Sequence, residues 1–148
     1  MELFTIGYEG INQKQFLSWL RNHDIDVVAD VRYYPLSRKK GFSKTSLSSL
    51  LGKNNIEYVN YRGLGTPKEL RSFLIETKDY KTFFRRCEKI ISKNTDDLDQ
   101  ILHSINEGKN VALLCYEKKP EACHRNIVAN EIKKRDGNGL KITHLGIY

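Results

Sequence analysis

The segment Cys115-Tyr116-Glu117-Lys118-Lys119-Pro120-Glu121-Ala122-Cys123-His124-Arg125 brings two thiols, an imidazole and a guanidinium into one short stretch. A thiol at a strand end or helix N-terminus is biased toward its thiolate, which makes Cys115 or Cys123 a candidate nucleophile. His124 is then the candidate proton carrier, while Glu117 and Arg125 are candidate ligand contacts. A second reading treats the same cysteines as small core hydrophobes, since Cys115 closes the apolar run Val111-Ala112-Leu113-Leu114. The spacing also lacks the arginine that cysteine-phosphatase loops carry six residues after the thiol, where this chain has Glu121. A helix is expected from Pro120 to about Arg135, which would point Cys123 and His124 about 100° apart and leave Cys115–His124 as the better pair. Paired Cys-x-x-Cys spacing and an evident fourth ligand are both missing, so neither a metal nor another cofactor is expected.

Two further loops carry groups suited to anions. Gly7-Tyr8-Glu9-Gly10 places two glycines before a helix start, where backbone can approach a ligand. The segment from Arg32 to Lys44 supplies Arg32, Ser37 and Arg38, which can grip a phosphate through paired guanidinium bonds and a hydroxyl. Tyr33 and Tyr34 offer faces on which a base or sugar could stack. Arg32, at a strand end, is expected to point to the rim, whereas Lys39 and Lys40 read as ordinary exposed charge.

The elements that would position these loops are written in the apolar pattern. Leu3-Phe4-Thr5-Ile6 and Val27-Val28-Ala29-Asp30-Val31 read as strands, the second apolar enough to be covered on both faces. Between them Asn12-x-x-Gln15 has the form of a capping box, opening a helix with Phe16, Leu17 and Leu20 that ends near His23. A short helix from about Thr45 to Leu51 should stop at Gly52, and a strand should follow over 56–61. Thr66-Pro67-Lys68-Glu69 reads as a capped helix start with proline at the first position. Tyr80, Phe83, Phe84, Cys87, Ile90 and Ile91, then Leu98, Ile101, Leu102 and Ile105, mark two amphipathic helices. Strands at 111–115 and 141–145 complete a single α/β domain over residues 1–148. Its expected form is a Rossmann-like three-layer sandwich, a largely parallel sheet of about five strands with helices on both faces. In such sheets ligands bind beyond the carboxyl ends of the strands, where the loops starting at Gly7, Arg32 and Cys115 would meet if their strands are neighbours.

Composition narrows the partners. No apolar run approaches the ~18 residues of a membrane span, and the N-terminus enters a strand without a signal-peptide pattern. Three cysteines, an odd number, lead to the expectation of reduced thiols in a cytoplasm. The net charge of +7, with no acidic residue from Val31 to Ile56, favours phosphate-bearing partners, nucleic acid among them.

The motifs Thr5-Ile6-Gly7-Tyr8-Glu9-Gly10, Asp30-Val31-Arg32 with Pro35 and Ser37-Arg38, Leu64-Gly65, and Leu113-Leu114-Cys115-Tyr116-Glu117 with Cys123-His124-Arg125 resemble the family catalogued as domain of unknown function 488. The likeness runs in order along nearly the whole chain and implies an α/β fold with arginine, serine, cysteine and histidine on strand-end loops. Many members carry histidine-serine where this chain has Tyr8-Glu9. The family implies no reaction. Three functions follow from the residues: binding or processing of a phosphorylated ligand such as a nucleotide or nucleic acid, cysteine-dependent catalysis, or a non-catalytic interaction module.

Overall fold

The computed structural model describes residues 1–146. Five strands form one sheet: β1 (Glu2–Gly7), β2 (Val27–Asp30), β3 (Glu57–Asn60), β4 (Val111–Cys115) and β5 (Lys141–Leu145). Every pairing is parallel and the order is β3-β2-β4-β1-β5. The all-buried VALLC of β4 sits in the middle, as a strand apolar on both faces must.

The helices are α1 (Gln13–Asn22), α2 (Lys44–Lys53), α3 (Lys68–Thr77), α4 (Tyr80–Lys93), α5 (Thr95–Asn106) and α6 (Arg125–Asp136). Right-handed crossovers explain their placement. The chain moves outward from β1 through β2 to β3, which puts α1 and α2 on one face. It then returns through β4 to β5, which puts the later helices on the other. Phe16, Leu20, Leu47 and Leu51 accordingly pack on Phe4, Ile6, Val28 and Leu114. Phe83, Ile91, Ile101 and Val128 pack on Leu3, Ala29 and Leu113, the residues of alternate parity. The α/β sandwich read from the sequence is the fold observed.

Local signals held at some boundaries and failed at others. Asn12 and Gln15 exchange both bonds of a capping box at α1. Thr66 does not cap α3: Pro67 is the N-cap and has no side-chain bond, while the Thr66 hydroxyl lies 3.9 Å from the Cys87 sulfur. Gly52 does not end α2, which runs on to Lys53 and closes at Asn54. Pro120 opens only a 3-10 turn, Pro120–Ala122, before α6 begins at Arg125.

Candidate functional site

Beyond the carboxyl ends of β1, β4 and β2 the three loops do converge. They line a cavity of about 420 Å³ whose walls include Tyr8, Tyr34, Arg38, Arg71, Cys115 and His124. That volume lies within the range of small-molecule sites. Because β4 separates β1 from β2, the loop after Cys115 is the centre of the rim.

Cys115 and Cys123 both line this cavity. The structure corrects the expectation of three reduced thiols: these two are joined as a disulfide, and Cys87 is the free cysteine among the described residues. Cys123 has extended backbone, φ −132° and ψ 146°, and His124 is the N-cap of α6. The argument that helical neighbours diverge therefore does not apply. His124 Nδ1 lies 3.9 Å from the Cys115 sulfur and 3.8 Å from that of Cys123. Its Nε2 is 2.6 Å from the Val31 carbonyl, an acceptor only, so Nε2 carries the proton and the Nδ1 lone pair faces the sulfurs. Burial lowers the His124 pKa, which keeps the ring neutral. Glu117 Oε2 stands 3.1 Å from the Cys115 sulfur, and burial raises its pKa.

The arginines divide into two kinds. Arg32 does not project into solvent from the rim. Its Nε and Nη2 donate to the two Asp30 carboxylate oxygens at 2.8 and 2.7 Å, and Nη1 donates to the Tyr8 hydroxyl at 3.1 Å and the Phe42 carbonyl at 2.7 Å. Burial alone would push Arg32 down, but the bonds and charge of Asp30 lift it. Asp30, fully buried, also accepts from the Tyr58 hydroxyl and the Arg32 backbone N–H. Arg125 is likewise fully buried: its Nη1 donates to the Glu117 carbonyl and its Nη2 to the Lys118 carbonyl at 3.1 Å. Burial pushes its pKa down to about 10. These two arginines brace the loops. Arg38 and Arg71 are exposed on the cavity wall, and neither guanidinium donates a hydrogen bond among the described residues.

The first loop is held by the third. The Glu9 backbone N–H donates to the Tyr116 carbonyl at 2.8 Å, and its carboxylate accepts from the Lys118 N–H at 2.9 Å. Gly7 is glycine for close approach to protein rather than to a ligand, because a Cβ there would overlap the Glu117 carbonyl. Tyr8, 3% exposed, stacks on Phe42 with ring centres 4.7 Å apart. The Ser37 hydroxyl accepts from the Lys39 N–H at 3.1 Å, a local turn bond.

Sequence reasoning passed over Arg62 and Arg71. The Arg62 guanidinium lies 4.3 Å from the Tyr33 ring centre, and that of Arg71 lies 5.9 Å from the Tyr34 ring centre. Tyr34 itself is 41% exposed, and its ring meets that of Tyr33 edge-on at 4.9 Å. The clue was available only in three dimensions, since Arg62 in the turn after β3 and Arg71 in α3 are distant in sequence from the tyrosines they meet.

No helix of the described residues is long and apolar enough to cross a membrane. Comparison with curated proteins and with solved structures finds no match. Family comparison matches residues 12–132, most of the chain, and so the protein belongs to the DUF488 family, described as a domain of unknown function.

Proposed function

We propose that this domain binds a phosphorylated ligand with an aromatic base, a nucleotide or an unpaired nucleotide of a nucleic-acid strand, in the cavity beyond β1, β4 and β2. One observation carries the reading: Arg38 and Arg71, whose guanidinium groups donate no hydrogen bond among the described residues, line the same cavity as the exposed ring of Tyr34, and that cavity is large enough for one small ligand. Guanidinium groups supply phosphate contacts, and a tyrosine face beside them stacks a base. The acid-free loop from Arg32 to Lys44, with Arg38, Lys39 and Lys40, adds positive charge beside the same cavity. The reading also places the chain in a reducing, cytoplasmic compartment, where the Cys115–Cys123 bond would open.

Titration with a nucleotide panel and short single-stranded oligonucleotides tests it. Arg38→Ala and Arg71→Ala are each expected to weaken binding by about tenfold, the scale of a lost charged hydrogen bond. Each should also lower the salt slope for a strand by about 0.7. Absence of salt-dependent binding to every ligand in the panel would overturn the reading.

A cysteine-dependent reaction is favoured by a different observation, the neutral His124 lone pair facing both sulfurs. After mild reduction with a chelator present, alkylation should modify Cys115 or Cys123 with an apparent pKa below the ~8.5 of a free thiol. Cys87 is the internal control, because burial pushes its thiol up to about 11 and it should label only on unfolding. Reaction of neither Cys115 nor Cys123 below that value would sink this alternative.

A further inference from the structure

The geometry points to a three-ligand site for a soft divalent cation of the zinc class, formed by Cys115 Sγ, Cys123 Sγ and His124 Nδ1 when the two cysteines are reduced. The three donor atoms all lie within 4.8 Å of one another and all three residues line the cavity. Around a tetrahedral zinc, with Zn–S near 2.3 Å and Zn–N near 2.0–2.1 Å, sulfur and nitrogen stand roughly 3.6 Å apart. The observed sulfur–nitrogen separations of 3.9 and 3.8 Å are close to that, while the two sulfurs, bonded to each other here, must part on reduction to the roughly 3.8 Å of a tetrahedral pair.

Three further features suit a metal. The imidazole is fixed by its Nε2–H bond to the Val31 carbonyl, the outer-shell arrangement that orients ligating histidines and leaves the opposite nitrogen as donor. The Cα atoms of Cys115 and Cys123 are 7.2 Å apart, beyond the ~4.4–6.8 Å common for disulfides, so the backbone accommodates parted sulfurs. Among the described residues Cys115, Cys123 and His124 supply three donors that lie mutually within reach, which leaves the fourth position toward the cavity they line, the pattern of open rather than purely structural zinc sites. Glu117 Oε2, 3.1 Å from the Cys115 sulfur, stands where it can accept a hydrogen bond from water in that position.

Loading proceeds in two balanced steps. A dithiol reductant gives up two electrons and two protons, breaks the S–S bond and is itself oxidised to a disulfide, leaving two protein thiols. The cation then replaces one proton on each sulfur, and two protons pass to solvent. The paired Cys-x-x-Cys missing from the sequence is not needed, because the 3-10 turn returns Cys123 beneath the end of β4.

Cobalt(II) titration of the reduced, folded chain tests the site without any nucleotide, so its outcome is independent of the ligand reading above. The expected result is one cobalt per chain, with a thiolate-to-cobalt charge-transfer band, intense tetrahedral visible bands, and displacement by zinc. Cys115→Ser and Cys123→Ser should each weaken zinc binding by more than about 100-fold, the upper end of what an outer-shell partner contributes. His124→Gln should remove the tetrahedral spectrum, with circular dichroism confirming that each variant remains folded. The proposal is overturned if reduced, folded protein shows no charge-transfer band, or if both serine variants bind as tightly as the parent. It is equally overturned if reduction alone unfolds the chain.

Discussion

Replacing Asp30 with asparagine is expected to lower the unfolding free energy by about 3–5 kcal/mol, as when one partner of a buried ion pair is removed. Asp30 is fully buried and binds Arg32 at two points, 2.8 and 2.7 Å. The substitution strands a guanidinium that is 6% exposed and has only neutral acceptors left, the new amide oxygen, the Tyr8 hydroxyl and the Phe42 carbonyl, with the new amide nitrogen facing it as a second donor. The damage spreads, because the Asp30 carboxylate also receives the Tyr58 hydroxyl from β3, a phenol whose pKa is raised first by burial and then by Asp30. Urea denaturation measures the effect. Asp30→Asn combined with Arg32→Met should be more stable than Asp30→Asn alone, since the double change leaves no unpaired charge. A single variant within about 0.5 kcal/mol of the parent, the range of ordinary surface changes, would show that the pair does not hold the β2 end together.

Gly7→Ala should lower stability by about 1–3 kcal/mol, the usual cost of forcing volume into a filled space. The new methyl would strike the Glu117 carbonyl, and that carbonyl cannot simply swing away while Arg125 Nη1 holds it. The displacement would pass along the loop to Tyr116 and the Cys115 strand end, so cavity binding should fall with stability. Gly52→Ala is the paired control: it lies in α2 with no atom within 4 Å of the added carbon and should gain about 0.5–1 kcal/mol. Thermal melting of the two variants separates a steric effect from loss of glycine in general. Equal melting temperatures for Gly7→Ala and the parent would refute the close-approach account.

The strands were legible because burial on both faces demands apolar runs, and VALLC at β4, five residues long, has strand rather than helix length. The helices α4 and α5 were equally plain from their apolar stripes. Strand order was hidden, since no local pattern says that β4 inserts between β1 and β2. That insertion is what brings Cys115 to the middle of the rim. Arg32 does line the rim cavity, but its pairing with Asp30 went unread although the clue was near: the two are two residues apart, and an acid closing an apolar strand needs a buried partner. Cys123 and His124 were misjudged because Pro120 looked like an α-helix start, whereas a 3-10 turn delays α6 to Arg125 and lets both side chains reach Cys115.

The central place of β4 has a further consequence during synthesis. The nascent chain emerges N-terminus first, at about 5–20 residues per second. β1 and β2 have no bond to each other and meet only through β4, which ends at Cys115. For a time on the order of ten seconds, β1 therefore has neither of its neighbours, β4 or β5, while β2 can pair only with β3. Their unpaired edges are open to other strands throughout that interval. A newly made copy thus depends on β4 and β5 to close the sheet, and a ribosome stalled before residue 111 would hold three strand edges, both of β1 and one of β2, that nothing in the emerged chain can cover.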